Sequence, residues 1–362
     1  MTISALLFRF PVGLTVPVSA ALLLGITLAC SSEDTSPDNT PSTGGQSSGG
    51  QTGGGQTGGT SSSSGGTPAA SGGASTGNGV VGTFSVLLNP AVEAAAEYTS
   101  ILGKVYTAEY PTDVVETPSA SAGGCTTYRF SRQPCLSVQC TPTQTCAAPD
   151  ECRDLPTLVN VGTVSVTGIG SAPLTLSGVN KNYQYAGEIP FPGFDEGSTI
   201  SLSATGDHYG AFTVTTTGVA PVTLTESDYL LSSGKPLLVE WEAGTNSDAD
   251  ISIVLNISKH GGSAGYMRCD TTDSGSFTIP AAPIQSLIDL GVAGFPQLTL
   301  TRRTAGETQV ASGKIVLEVA AQAIPTLAVE GYCSCNDSVD CGSCSDSTKT
   351  SCDSLRRLCR AP

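Results

Sequence analysis

One tryptophan, two histidines and two methionines in 362 residues leave little of the chemistry that most sites depend on. Aromatic residues make up 6% of the chain and charged residues 13%, so a broad aromatic sugar platform has a thin supply to draw on. Any histidine base must be His208 or His260, and both sit in polar, turn-like contexts where a solvated histidine is the ordinary outcome. Basic residues are scarce as well, with 16 Lys and Arg against 31 Asp and Glu for a net charge of −15. Setting aside Arg9, the three acids of residues 31–79 and a C-terminal stretch in which four acids balance four bases leaves the central body at −13. A body that acidic repels phosphate backbones, which argues against a nucleic-acid partner. Arg356, Arg357 and Arg360 form a small basic spot that reads as a solvated chain end.

Residues 31–79 lack any aromatic side chain and any aliphatic larger than Ala; their charges are Glu33, Asp34 and Asp38. Nothing there offsets the entropy of ordering, so residues 30–79 are expected to be a disordered Gly/Ser-rich tether. A flexible coil of that length spans about 40 Å. The Gly77, Gly79 and Gly82 spacing matches a dinucleotide fingerprint, yet a β-like run follows where a helix would be needed. Ahead of the tether, an uncharged apolar run from Phe10 to Ala29 follows Arg9 and ends at Cys30. Its length and flanks mark residues 1–29 as a targeting segment, a signal peptide. The run is also about long enough to span a bilayer as an uncleaved anchor. The order of apolar run, Cys30 and polar tether resembles a bacterial lipoprotein precursor, although Thr27 and Leu28 invert the usual order before the cysteine. The resemblance implies that Cys30 is lipidated and that the protein is exported and held at the outer membrane, Ser31 rather than Asp following the cysteine.

Thirteen cysteines become twelve once Cys30 is set aside, and an even number in an exported chain reads as a disulfide framework. Cys125, Cys135, Cys140, Cys146 and Cys152 form a group of five, Cys269 stands alone, and Cys333, Cys335, Cys341, Cys344, Cys352 and Cys359 form a group of six. Cys269 therefore pairs most economically with one of the first five, and the sequence ranks no connectivity beyond that. The Cys341–Cys344 spacing also suits a redox pair or a zinc site. A redox pair needs a helix N-terminus after a strand, and an oxidising compartment favours bridges over zinc.

From residue 80 to about 330, short Val, Thr, Leu and Ile runs alternate with Gly, Pro, Asn and Asp, the punctuation of an all-β sandwich or barrel. Alternation is plain in 162–167, 199–203, 212–215, 251–256, 296–303 and 314–319. Pro283 to Gly291 has helical spacing with helix-boundary residues at both ends, predicting one short connecting helix. The expected architecture is an antiparallel β-sandwich over 158–330, an N-terminal β extension with the first cysteine cluster over 80–157, and a small cysteine-rich tail over 331–362. The leader, the tether, the stretch Val161–Gly168, the run Ser274–Pro280 and the cysteine layout together resemble Gly/Ser-tethered, cysteine-rich surface lipoproteins of myxobacteria. That resemblance carries no known reaction and transfers no catalytic residue.

Three constellations carry chemical readings. Gly261-Gly262-Ser263-Ala264-Gly265 matches a nucleophile elbow beside His260, but residues 266–269 read as a strand where the elbow needs a helix. Asn246, Asp248 and Asp250 offer alternate oxygen ligands for calcium, without the Gly and distal Glu of an EF-hand, and fit an Asx-rich turn. Asp195 and Glu196 are adjacent in a turn, whereas a glycosidase needs carboxyls facing each other across a sugar; Phe191 and Phe194 beside them read as core residues. The expectation is a non-enzymatic, membrane-tethered binding or structural module with an unknown protein or glycan partner and no implied cofactor. A carbohydrate-binding module, with or without calcium, is the alternative, and a hydrolase at Ser263 comes third.

Overall fold

The computed structural model describes residues 79–92 and 95–362; the apolar run, Cys30 and the tether to residue 78 lie outside the described residues. The described chain is all-β apart from one α-helix. It opens with β1 (Val80–Asn89), β2 (Tyr98–Val105), β3 (Val114–Ala122), β4 (Cys125–Arg132) and a small hairpin, β5 (Gln144–Ala148) with β6 (Glu151–Asp154). Then come β7 (Val164–Thr167), β8 (Leu174–Val179), β9 (Asn182–Gln184), β10 (Thr199–Ala204) and β11 (Phe212–Thr217). β12 (Asp228–Leu231), β13 (Leu237–Glu240), β14 (Asp250–Asn256), β15 (Gly265–Thr272) and β16 (Ser276–Ile279) lead to α1 (Ala281–Asp289). Two long strands, β17 (Gln297–Val310) and β18 (Gly313–Ala323), precede β19 (Thr326–Val329), and β20 (Ser351–Asp353) and β21 (Leu358–Arg360) lie in the tail.

Period-2 alternation sets the inward face of these strands. Val164 and Val166, Ile200 and Leu202, and Ile251, Ile253 and Leu255 are buried, while Ser165, Thr167, Thr199 and Asp250 are not. α1 starts two residues earlier than its Pro283, which sits in the first turn, where its missing N–H costs no helical bond. Gly291 follows the helix at φ +107° and donates its N–H to the Ile288 carbonyl, closing the C-terminus in a conformation that glycine adopts freely.

One sheet carries most of the strands, in the order β11-β10-β7-β8-β9-β2-β1-β18-β17-β14-β15-β4-β3, with β12 and β19 added beside β17. It is mixed, where a wholly antiparallel sandwich was expected: β1 runs parallel to β18, and β12 parallel to β19. Strands that far apart in sequence have ample chain between them, so no tight hairpin dictates their direction. The expected boundary at residues 157/158 is crossed by the sheet. β1 and β2 sit in its middle and β4 pairs with β15, so residues 80–132 are woven through the later strands.

Two hydrophobic cores result. The first gathers Phe84, Val86, Ile101, Val164, Tyr183, Leu202 and Leu317; the second gathers Trp241, Ile253, Met267, Ile284, Leu287, Leu300 and Leu327. β17 reaches both, through Leu298 and Leu300 in the second and Val310 against the first, while β18 supplies Ile315, Leu317, Val319 and Ala321 to the first. Near its end β17 also meets β11: Thr304 donates to the Thr217 carbonyl at 2.5 Å, and a methyl group at Gly306 would lie 1.9 Å from the Thr215 oxygen. The first core is thereby enclosed by a sheet curled back on itself.

Six disulfides staple this frame. Cys269 pairs with Cys125 across β15 and β4, and Cys135–Cys146 and Cys140–Cys152 lace the β5–β6 hairpin. The tail contains Cys333–Cys344, Cys335–Cys352 and Cys341–Cys359. It also docks on the body: Leu358 is buried in the second core, and Ser334 donates to the Gly294 carbonyl. A chain with six bridges belongs to an oxidising compartment, and the protein is read as exported on that ground.

Candidate functional site

The residues singled out in the sequence are mostly dispersed and committed to local structure, although Glu196 and Asn246 are brought into contact. Ser263 lies in the loop before β15, bonded to the Asn256 side chain at 3.1 Å and the Ser258 carbonyl at 3.2 Å, and a strand rather than a helix follows it. The elbow geometry is therefore not built. His260 occupies the same turn at φ +60°. At the calcium candidates, the Asn246 oxygen accepts the Asp248 N–H at 3.0 Å, and its amide donates to Thr217 Oγ1 and the Gly218 carbonyl. That is an Asx turn, in which the oxygen already serves one backbone N–H. Asp250 starts β14, opposite Thr272 and Arg303.

Glu196 accepts the Thr245 N–H and hydroxyl at 2.6 and 2.7 Å and the Asn246 N–H at 3.0 Å, pinning its loop to the 244–250 turn. Burial pushes its carboxyl up, but those hydrogen bonds and the Arg302 charge outweigh it and hold the group below its ordinary range. Phe194 is buried in the first core and Phe191 packs against it. In the tail, Arg360 pairs with Asp353 and Arg357 donates to the Asn336 carbonyl. Among the described residues, the two groups with metal-ligand proximity are Cys135/Cys140/Cys152 and Cys335/Cys341/Cys359, whose sulfurs are consumed in disulfides.

A charged cluster is buried between the two cores. Arg302 and Asp273, 1% and 4% exposed in their side chains, pair at 2.6 Å. Arg302 also donates to the carbonyls of Ala220, Pro221 and Glu242, and Asp273 accepts Trp241 Nε1 at 2.7 Å and the Gly244 N–H at 2.9 Å. Burial raises the Asp273 carboxyl, while the Arg302 and Trp241 hydrogen bonds and the Arg302 charge lower it by more; the net displacement is downward. Every polar arm of this cluster is satisfied within the fold and both side chains are almost wholly buried, which marks it as architectural.

One of the accessible recesses is a cleft on the outer face of β1, β2 and β9. Registry places Thr83, Lys104 and Asn182 in one row and Ser85, Leu102 and Gln184 in the next. Their strand neighbours Phe84, Gly103 and Tyr183 face the first core. The Phe84 ring fills the space over Gly103, where an added methyl would come within 2.1 Å of it. Tyr106 and Tyr110 close one end, edge to face at 5.4 Å, and Val80 flanks them. The cavity is about 420 Å³, inside the usual range for small-molecule sites of about 300–1,000 Å³. Leu102 and Tyr110 are 57% and 52% exposed, so an apolar surface lies open there. The lining holds one cation, Lys104, and no carboxylate.

A second aromatic group behaves differently. Tyr128 and Tyr266 stack at 5.2 Å across β4 and β15, with Phe130 against Tyr266 at 5.5 Å. Their ring faces are used on one another. Tyr266 donates to Glu116 at 2.9 Å, and burial together with that carboxylate pushes its hydroxyl up to about 12. This is a cross-strand ladder that stiffens the sheet margin.

No protein-family model matches the chain, and no curated protein matches it. Among solved structures, a crystal structure of the chicken CNTN1 FN1–FN3 domains is similar over 60% of this chain and 67% of that chain, at 9% identity and a TM-score of 0.16. A likeness at that level bears on neither fold nor function.

Proposed function

We propose that the protein is a non-enzymatic binding module, exported and tethered to the outer membrane through a lipid on Cys30. The observation that supports a binding role is the open cleft beside Tyr106 and Tyr110 on a sheet held by Cys125–Cys269 and two hydrophobic cores. A rigid sheet face with an accessible, partly apolar recess recognises a ligand at little ordering cost. The lipoprotein part of the reading rests on the order of apolar run, Cys30 and tether in the sequence.

Carbohydrate is the ligand class that this recess favours. Tyr110 keeps a face for the C–H surface of a pyranose, and Asn182, Gln184, Thr83 and Ser85 supply amide and hydroxyl groups on the same side. A glycan array probed with the protein, with and without calcium, tests this reading. Glycan signals that vanish in Tyr110→Ala support it. Signals that survive Tyr110→Ala move the binding face elsewhere, and an array with no signal removes carbohydrate in favour of a protein partner. An active-site serine probe that labelled Ser263 would overturn the non-enzymatic reading altogether.

A further inference from the structure

We infer that the cleft is built for an acidic saccharide, a pyranose chain bearing carboxylates, with Lys104 as the cation that reads the charge. The inference rests on the carbohydrate reading of the same cleft and adds the charge of its ligand.

Pairing singles out Lys104. The chain has six lysines. Lys181 donates to the Leu158 carbonyl, Lys235 faces Glu330, Lys259 bonds Gln297, Lys314 pairs with Glu307 and Lys349 with Asp346. Lys104 alone, among the described lysines, forms neither a hydrogen bond nor an ion pair within the fold. In a chain with about twice as many acids as bases, an unpaired ammonium would ordinarily find a carboxylate partner. Here none of the cleft's lining residues is acidic, and Glu109, which lies against Gly79 at the margin, forms no ion pair with Lys104.

Geometry says what that charge can meet. Lys104 lies one register row from Leu102 and Gln184, and directly across from Asn182 and Thr83. A sugar ring resting on Tyr110 and Leu102 would present its equatorial groups along those rows. Asn182 and Gln184 suit hydroxyls, as paired donors and acceptors; an ammonium suits a carboxylate, as a compact point charge. A neutral saccharide would leave Lys104 without a partner, and a purely apolar ligand would waste the amide rows. The −13 body repels any polyanion at long range, most strongly a duplex with one charge per about 1.7 Å, so what Lys104 can read is one carboxylate of a sparsely charged saccharide seated in the cleft.

The test is calorimetric titration of the full chain with an oligogalacturonate and with the same oligomer after carboxyl reduction, at low and at high salt. The acidic form is expected to bind about fivefold more tightly than the reduced form, the size of one exposed charge pair, and salt is expected to erase that difference. Lys104→Met should bring the two forms level, and Lys104→Arg should keep the preference. Tyr110→Ala should weaken both forms alike. Unchanged Trp241 emission certifies that each variant is folded. Equal binding of both forms to the native protein, or a preference that survives Lys104→Met, overturns the acidic inference and leaves the carbohydrate reading standing. Failure of both forms to bind overturns the two together.

Discussion

Removing the Asp273 carboxylate is expected to be among the most damaging single changes in the body. In Asp273→Ala, the Arg302 guanidinium, 1% exposed, loses its counter-ion and two hydrogen bonds, of 2.6 and 3.2 Å, while remaining buried. Trp241 Nε1 and the Gly244 N–H lose their acceptor in the same step. Breaking a buried pair from one side costs about 3–5 kcal/mol, a large part of the roughly 5–15 kcal/mol that holds a domain together. With a urea slope near 3 kcal/mol/M, the midpoint should fall by about 1–1.7 M. The usual apolar rescue is expected to fail. Arg302→Met with Asp273→Leu removes the charges but strands the carbonyls of Ala220, Pro221 and Glu242 along with the indole and Gly244 N–H groups. At about 1–3 kcal/mol for each unsatisfied buried group, those losses exceed the 1–4 kcal/mol that apolar replacement of a buried pair can return. Trp241 is the single tryptophan, so urea titration followed by its fluorescence reads this site directly. The pH sense follows from the lowered Asp273 carboxyl. Its stabilisation is fully present above the unfolded-state value of about 3.9 and is lost as pH falls through the lower folded value, so Asp273→Asn should flatten the acid limb of the stability curve. A single variant within about 1 kcal/mol of the native protein, or a double variant more stable than it, would refute the assignment of Arg302 as a buried charge held by Asp273.

The Cys125–Cys269 bridge spans 144 residues, and its removal as a Cys125→Ser, Cys269→Ser pair should cost about 4–5 kcal/mol by loop-closure entropy; peptide mapping without reductant that found Cys269 as a free thiol would contradict the bridge itself. Disulfide reduction should open residues 333–359 to protease while the sheet keeps most of its β signal, and chelation alone should not; protease sensitivity in EDTA without reductant would replace the disulfides with a metal. If Cys30 carries lipid, mass spectrometry of the mature N-terminus finds an acylated cysteine and Cys30→Ala leaves the leader uncleaved or the protein released from membranes; an unmodified start at another residue ends the lipoprotein reading.

Strand identity was legible because a half-buried strand writes its burial into alternate residues. Val164/Val166 and Ile251/Ile253 need no partner to be recognised. Partnership was not legible in the same way: nothing in the run from Val80 to Asn89 specifies β18 as its neighbour more than 220 residues later, or the parallel direction. β17 shows both cases in one strand. Residues 296–303 read as a strand from the sequence; the structure puts Arg302 on the inward face with Leu298 and Leu300, and pairs it with Asp273 from another turn, which no period within the strand could supply. Beyond Arg303 the strand turns polar where β11 lies against it at Thr304 and Gly306, and only Val310 at its end packs on the first core, so its extension left little hydrophobic trace. The cleft was illegible for a related reason. Leu102 and Lys104 look like ordinary strand surface until β9, some 80 residues on, brings Asn182 and Gln184 beside them.

The position of the cleft ties these elements to the tethered arrangement proposed above. Val80, the first residue of β1, is both the point where the fold takes over from the tether and a lining residue of the cleft. A pull between an anchor at Cys30 and a ligand in the cleft would enter the fold along β1. β1 is not an edge strand: it pairs with β18 from Val80 to Leu88 and with β2 from Gly82 to Asn89, so tension along its axis loads two ladders of hydrogen bonds together in shear. Neither of those ladders contains a cysteine of the tail, of the β5–β6 hairpin or of the Cys125–Cys269 bridge. The six disulfides are therefore placed to guard the parts with the least core of their own and the far side of the sheet, while the strand nearest the tether relies on backbone pairing and on Phe84, Val86 and Leu88 in the first core.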